Sequence, residues 1–295
     1  MAPSNGKTAV ITGASSGIGS AVALRLLSLG FTVYGAARRQ DRLEAIAAQG
    51  VKPLAMDVTD DASMEAGIRR ILSDTGRIDV LVNNAGYGSY GAIEDVSQEE
   101  AKRQFDVNVF GAMGLAQLVL PGMRQQASGT IINISSVGGR AYGPFGGWYH
   151  GTKYALEALS DCLRLETKPF GIHVVIVEPG AIATEFLGIA AQGLQATSGQ
   201  GPYSVQVNRM VASFTDPKMM KRMSSPDVIA DVIAKAATAK RPKTRYVAGY
   251  GARPLVTLRR WLPDRAFDAL ITRVTGTHGS GRSTPTESLA TGTPR

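Results

Sequence analysis

A chain of 295 residues, 44% hydrophobic and 19% charged, has the size and make-up of one large globular domain or two small ones. One Cys and three His exclude a structural zinc site and a disulfide framework. The net charge is +8; basic and acidic residues nearly balance over 1–200, and the whole positive excess lies in 201–295.

No aromatic-and-basic motif accompanies that charge, so nucleic acid is not the expected partner, and no metal is expected. The N-terminus lacks a basic segment followed by an apolar run, and no stretch reads as the ~20 apolar residues that span a bilayer. A reduced, cytoplasmic setting is the expectation, with Cys162 at an apolar core position of its helix.

Residues 7–11 form a short β-rich run leading directly into Thr12-Gly13-Ala14-Ser15-Ser16-Gly17-Ile18-Gly19. A helical pattern follows (Val22, Leu24, Leu26, Leu27) and Gly30 closes it. Strand, Gly-rich turn and helix together form a dinucleotide signature: the glycines let the backbone approach a pyrophosphate, and the helix start offers unpaired N–H groups. The next strand, 31–37, ends in Arg38-Arg39 with no Asp or Glu from Phe31 to Gln40. An acid near this strand end binds ribose hydroxyls, whereas Arg accommodates a 2′-phosphate. The pair therefore favours NADP over NAD, unless the two arginines only cap a surface loop.

A helix over 41–49 and a strand over 51–56 lead to Asp57-Val58. Asp57 could accept from an adenine amino group or cap the helix over 61–74. Strand 78–82 ends in Asn83-Asn84-Ala85-Gly86, small and amide residues suited to close cofactor approach and to bracing a sheet. Helix 97–107 gives way to Asn108, followed by an apolar helix over 109–126. An amide among Val107, Val109 and Phe110 needs partners if buried, as a structural staple or as part of a proton relay.

The richest stretch is 131–153, IINISSVGGRAYGPFGGWYHGTK. It starts as a buried strand, passes a Ser pair and a Gly-rich loop, and enters a helix carrying Tyr149 and Lys153 four residues apart. Such positions share a helix face, roughly 5–6 Å apart at Cβ. Tyr normally titrates near pH ~10, and a neighbouring cation lowers that value toward the range of a general acid/base. A chance Tyr–Lys spacing is the bland alternative. After a helix to about residue 168, strand 172–177 ends in Glu178-Pro179-Gly180-Ala181-Ile182-Ala183-Thr184. His173 at its start reads as locally satisfied.

Repeated strand–helix units predict an α/β fold: a single-domain, Rossmann-like, doubly wound parallel sheet with helices on both faces. Ligands of such sheets bind at strand C-termini, where Gly13, Arg38, Asp57, Asn83, Ser136 and Pro179 all fall. The dinucleotide-binding domain is expected to occupy 1–252, with 185–225 as a substrate-covering insert; its Met group (Met210, Met219, Met220, Met223) could equally be core packing. Helix 226–239 and strand 244–248 close the sheet. Over 253–274 basic and apolar residues interleave, fitting a membrane interface, the subunit's own surface or a partner. The Gly/Ser/Thr-rich 275–295 is expected to stay disordered.

TGASSGIG (12–19), NNAG (83–86), Asn108, NISS (133–136), YHGTK (149–153) and PGAIAT (179–184), in that order, resemble the short-chain dehydrogenase/reductases over roughly residues 5–250. ARR at 37–39 is similar to the pattern of NADP-dependent carbonyl reductases, with hydroxysteroid and retinol dehydrogenases as relatives. The resemblance implies that Tyr149 exchanges a proton with the substrate oxygen and that Lys153 depresses the Tyr pKa and binds the nicotinamide ribose. It implies that Ser136, thirteen residues before Tyr149, bonds the reacting oxygen, and that Asn108 holds a water linking Lys153 to solvent. Ile182 and Thr184 would fix the nicotinamide carboxamide. The cofactor-binding set is then Gly13, Ser15, Ser16, Gly17, Ile18, Gly19, Arg38, Arg39, Asp57, Val58, Asn83, Ala85, Gly86, Tyr149, Lys153, Pro179, Gly180, Ile182 and Thr184. The implied function is NADP(H)-dependent hydride transfer to or from a ketone, aldehyde or secondary alcohol. Tyr87, Tyr90, Tyr142, Phe145 and Trp148, with the Met-rich insert, suggest a lipophilic substrate, and the resemblance suggests a homo-oligomer. The alternative is a catalytically silent dinucleotide-sensing regulator, whose usual sign is loss of the Tyr or the Lys; both are present.

Overall fold

The computed structural model describes residues 6–39 and 41–278. Seven strands, β1 (Thr8–Thr12), β2 (Thr32–Ala37), β3 (Lys52–Ala55), β4 (Val80–Asn83), β5 (Gly129–Ile134), β6 (Ile172–Pro179) and β7 (Arg245–Ala248), form one sheet in the order β3-β2-β1-β4-β5-β6-β7. Every pairing is parallel. Helices α1 (Gly17–Ser28), α2 (Glu44–Ala47), α3 (Asp61–Thr75), α4 (Gln98–Phe105), α5 (Gly111–Gln125) and α6 (Gly147–Thr167) link the first six strands. Between β6 and β7 come α7 (Phe186–Ser198), α8 (Ser204–Phe214), α9 (Pro217–Arg222) and α10 (Pro226–Thr238); α11 (Ala252–Trp261) and α12 (Asp264–Val274) follow β7.

The central strands are mostly apolar because both faces are covered, whereas the edge strands β3 and β7 are partly exposed. Successive side chains point to opposite sides of a strand, and the core divides accordingly. Ala9, Ile11, Val82, Ile132 and Val175 face α1 and α10. Val10, Leu81, Ile131 and Val174 face the layer of α3 and α5, where Ile68, Leu115, Val119 and Met123 lie buried. The strand order reverses at the neighbours β1 and β4, and the crevice beyond their C-terminal ends is where this architecture binds ligands.

Where the sequence suggests two helices meeting near Asn108, the chain runs as one helix from Gln98 to Gln125 with a π-type turn over Asp106–Phe110. Such bulges are frequent at functional sites. This combined helix has the length and apolarity to cross a bilayer, unlike the expectation from sequence. Its buried residues Leu115, Val119 and Met123 pack on the sheet, which makes it a core helix.

Cys162 is exposed, not in the core. The inner side of α6 carries Tyr149, Thr152, Lys153, Leu156 and Ser160, so that polar groups hold much of the side the sequence pattern assigns to apolar ones. Segment 185–225 is largely helical, and its two ends are stitched together: Ala183 N–H donates to the Ser224 carbonyl at 2.9 Å and Ser224 N–H to the Ala181 carbonyl at 3.1 Å. Of the stretch 275–295, residues 275–278 are placed, with Thr277 buried and the His278 carbonyl accepting from Arg209 of α8 at 2.9 Å. Residues 279–295 lie outside the described residues.

Candidate active site

The turn after β1 is built around absent side chains and borrowed hydrogen bonds. Gly17 opens α1 at φ +53, a left-handed conformation that an L side chain rarely adopts. A Cβ on Gly19 would lie 2.3 Å from the Gly13 carbonyl oxygen and 2.6 Å from Asn84 Nδ2. The Asn84 amide donates to the Thr12 carbonyl at 2.9 Å, and Thr12 Oγ1 accepts from the N–H groups of Asn84 and Ala85 at 3.0 and 2.9 Å. The ends of β1 and β4 are thereby locked together.

The first turn of α1 is left open. Helices α3, α4 and α10 have side-chain caps, from Asp60 to Ser63 N–H, Ser97 to Glu100 N–H and Ser225 to Asp227 N–H. Ser16 at the start of α1 makes no such bond, and no acid stands in the first turn. Unpaired N–H groups at the positive end of a helix are suited to an anion. At the end of β2, Arg38 and Arg39 are exposed and neither pairs with a carboxylate among the described residues. These features fit a dinucleotide with an extra phosphate.

Two sequence alternatives are resolved here. Asp60 caps α3. Asp57 turns its Oδ1 onto Thr59, accepting from the N–H at 3.0 Å and the hydroxyl at 2.8 Å, so only Oδ2 is left for a ligand. Val58 lies half-buried beside it. Asn83 points inward: its Nδ2 donates to the Ala112 carbonyl and to Asn133 Oδ1, both at 2.9 Å, and Asn133 donates to Ser160 Oγ at 2.8 Å. The Asn83 side chain braces β4, β5, α5 and α6, which leaves its backbone alone to meet a cofactor.

The catalytic candidates assemble around Gly86, whose missing Cβ would sit 3.0 Å from Asn108 Oδ1 and 3.7 Å from Lys153 Nζ. Asn108 is buried and satisfied, accepting from Tyr87 N–H at 3.0 Å and donating to the Tyr87 carbonyl at 2.9 Å and Thr152 Oγ1 at 3.0 Å. It therefore staples the π-type turn between α4 and α5 to α6 and to the loop after β4. Lys153 is buried, donates to the Ile134 carbonyl at 2.8 Å and lies 5.9 Å from the Tyr149 ring centroid. Ser136 is hydrogen-bonded with Tyr149 and accepts from Gly138 N–H at 3.0 Å. Ser135 is buried behind it, close to where a Cβ on Gly139 would stand.

The electrostatics differ from the sequence reading. Burial pushes the Tyr149 phenol up to about 12, and the bond to Ser136 only partly offsets this. The expected depression by Lys153 is absent because burial acts on both groups. It brings the Lys153 ammonium down to about 8, against a partial restoring pull from Glu157 one turn further along α6. At neutral pH Tyr149 therefore holds its proton and Lys153 remains largely charged. This pair can give a proton to a developing oxyanion without first acquiring one.

The cofactor-side loop after β6 closes the site. Gly180 N–H donates to the Ala248 carbonyl at 2.8 Å and Ala181 N–H to the Tyr250 carbonyl at 3.0 Å, pinning the chain after Pro179 to the far edge of the sheet. Ile182 is buried, and Thr184 Cγ2 faces Gly17, 3.1 Å from where a Cβ would be. Ser15 and Ile18 are half-buried on the same turn. The sequence-selected residues thus gather at the C-terminal ends of the strands, with the Asn83 side chain turned inward.

Sequence reasoning reached only part of the other wall, naming Tyr90, Phe145 and Met210 but not Phe186, Leu194 or Val207. Tyr149 lies 5.8 Å from Tyr90 and 5.4 Å from Phe186, centroid to centroid. Leu194, Val207 and Met210 of the insert complete this cluster, with Phe145, Tyr203 and Phe214 packed against it. Phe145 takes φ +60, costly for a bulky side chain; its carbonyl accepts from Gly91 N–H at 2.8 Å. Tyr142 is drawn away to α12, and the Tyr87 hydroxyl is held by Glu100 at 2.9 Å. His150 was also unforeseen. Gly143 N–H donates to its Nε2 at 3.1 Å, so Nδ1 carries the hydrogen and donates to the Gly138 carbonyl at 3.0 Å. Burial lowers its pKa, and the neutral ring straps the loop after Ser136 to α6.

Residues 7–194 match the family model of the short chain dehydrogenases. A 3-ketodihydrosphingosine reductase of Bacteroides thetaiotaomicron is 37% identical over 261 residues, spanning 86% of this chain and 93% of the relative. A short-chain dehydrogenase from Streptomyces avermitilis superposes with a TM-score of 0.76 at 33% identity, covering 92% of this chain and 96% of that one. A metagenomic short-chain oxidoreductase in complex with NADP gives a TM-score of 0.66 at 29% identity, covering 83% and 97%. With the family model, the relatives' identity and the fold in agreement, the chain belongs to the short-chain dehydrogenase/reductase family of oxidoreductases.

Proposed function

We propose that the protein is an NADP(H)-dependent oxidoreductase acting on a lipophilic ketone, aldehyde or secondary alcohol, with Tyr149 as general acid/base. The observation that carries this reading is the grouping of a protonated Tyr149, Ser136 and a buried, charged Lys153 at the end of β5. Bound nicotinamide supplies the hydride. Gly13, Ser15, Ser16, Gly17, Ile18 and Gly19 would hold the pyrophosphate, and Arg38 and Arg39 the 2′-phosphate. Asp57 and Val58 would flank the adenine, Ala85 and Gly86 the ribose, and Pro179, Gly180, Ile182 and Thr184 the carboxamide. Ser136 orients the substrate oxygen and Tyr149 donates to it. A positioned acid contributes typically about 10²–10⁴-fold.

The aromatic and aliphatic side chains around Tyr149 support an apolar substrate. A panel of ketones and alcohols followed by NADPH absorbance tests the activity. Tyr149→Phe should retain NADPH binding and lose turnover by at least about 10²-fold; full turnover in this variant refutes the assignment. Family membership leaves NAD and NADP both open, so Arg38 is tested by comparing kcat/KM for the two reduced cofactors. A preference for NADH overturns its role. Phe110, Leu159 and Leu165 lie exposed on and beside α5 and α6 and support a homo-oligomer, which light scattering in solution checks.

A further inference from the structure

Helices α11 and α12 each use one side to dock on the body of the protein. Ala252 and Phe267 are buried. The Phe267 ring meets Tyr142 at 5.2 Å, and the Arg259 guanidinium lies 5.0 Å and 5.3 Å from those two rings. Both acids of the pair of helices are exposed, and each is held by a group of this contact. Asp264 pairs with Arg259 at 2.9 Å, and Asp268 accepts from the Tyr142 hydroxyl at 3.0 Å.

The outward charges without a carboxylate or hydroxyl partner are therefore of one sign. Arg253, Arg260, Arg265 and Arg273 are exposed, with no carboxylate partner among the described residues. Trp261 is 75% exposed and Leu258 42%. At 3.6 residues per turn, Arg253, Arg260, Trp261 and Leu258 occupy adjoining strips on the outer half of α11: a basic flank beside an apolar one. A soluble polyanion would need only the arginines. An indole next to cations is the pattern of a helix lying in a headgroup layer, where Trp sits at the boundary and basic residues meet anionic lipid.

We propose that the outer face of α11 and α12 docks this protein on a bilayer containing anionic phospholipid, with Trp261 and Leu258 in the interface and the four arginines over the headgroups. This deepens the reading of a lipophilic substrate and rests on it for its purpose. Tyr142 and Gly143, which α12 touches through Phe267 and Ile271, lie just ahead of Tyr149 in the chain. Arg209 ties the chain beyond α12 to α8, one of the helices that wall Tyr149. Docking through this face sets the approach to the catalytic tyrosine beside the lipid.

The test is co-sedimentation of the full chain with phosphatidylcholine vesicles, with and without phosphatidylglycerol, at low and high salt, beside heparin binding as a soluble-polyanion control. Binding is expected to the anionic vesicles only and to weaken with salt. Arg260→Gln/Arg265→Gln should lower partitioning about thirty-fold. Trp261→Ala should lower vesicle binding and leave heparin binding unchanged. No binding to anionic vesicles, equal binding to neutral ones, or vesicle binding indifferent to Trp261 overturns the proposal; the last result assigns the face to a nucleic acid or acidic protein. NADPH turnover of a water-soluble ketone should be unchanged in both variants. Its absence in the parent protein would count against the enzymatic reading and leave the vesicle result standing.

Discussion

The two walls of the site are made by different means. The cofactor wall consists of strand ends, tight turns and backbone hydrogen bonds: Gly13 to Gly19, Asn84 on Thr12, and Gly180 pinned to β7. The wall proposed for the substrate consists of side chains from the loop after β4 and from α7 and α8 clustered with Tyr149: Tyr90, Phe186, Leu194, Val207 and Met210. A wall made of backbone tolerates almost no change, because a turn has few conformations and a close approach has no slack. A wall made of apolar side chains can exchange shapes at modest cost. The same contrast separates what defines the family from what gives one member its substrate.

The largest expected effect falls on the backbone wall. In Gly19→Ala the new methyl would stand 2.3 Å from the Gly13 carbonyl oxygen, a backbone atom that cannot swing aside, and 2.6 Å from Asn84 Nδ2, which its bond to Thr12 holds in place. Helix α1 must then shift away from the turn. Overpacking of this kind costs about 1–3 kcal/mol, and NADPH affinity should fall far more than stability. Thermal melting and fluorescence titration read the two separately. Unchanged affinity would show that the close approach is not part of the cofactor wall.

The Lys153 substitution is next in size and acts in opposite directions on activity and stability. Burial lowers this ammonium from 10.5 to about 8, so the unfolded chain binds a proton more tightly than the folded one. Stability contributed by this residue therefore rises with pH between about 8 and 10.5 and is lowest below that window. The shift corresponds to roughly 3 kcal/mol as an upper figure. Lys153→Met should melt higher than the parent at neutral pH, lose that advantage above pH ~10, and turn over at least about 10²-fold more slowly. A variant that melts lower at neutral pH would mean that the bond to the Ile134 carbonyl outweighs desolvation.

The contrast between walls also explains how much was readable before the fold was known. Strand ends announce themselves: an apolar run stops, and Gly13, Asn84, Ser136 or Gly180 must follow because only small or amide residues satisfy the geometry. Tyr149, Lys153 and Asn108 were legible by their fixed spacing from such ends. Phe186, Leu194 and Val207 were not, since their meeting depends on how the ends of the insert are stitched at Ser224, a long-range pairing with no local signal. Aromatic content misled at Tyr142, which serves α12. Apolar periodicity misled at Cys162, because α6 spends its inner side on Thr152, Lys153 and Ser160. Proximity in sequence misled on the pKa of Tyr149, where burial outweighs a neighbouring charge.

The smallest expected effect tests the side-chain wall itself. Phe186 is half-buried, its ring 5.4 Å from that of Tyr149 and its tip near Gly88. Phe186→Ala removes apolar surface from the substrate side and leaves every hydrogen bond of the turn after β1 in place. Removing part of a hydrophobic pocket changes discrimination by about 1–3 kcal/mol. KM for a bulky ketone should therefore rise by about tenfold, with NADPH affinity held and a short ketone nearly unaffected. The two ketones matter together: a uniform loss for both would indicate that Phe186 positions Tyr149, not the substrate. A fall in NADPH affinity would break the comparison, because Phe186 follows Thr184 by two residues and its N–H donates to Thr184 Oγ1 at 3.3 Å. That bond belongs to the backbone, which alanine keeps, so the two walls should separate at this residue.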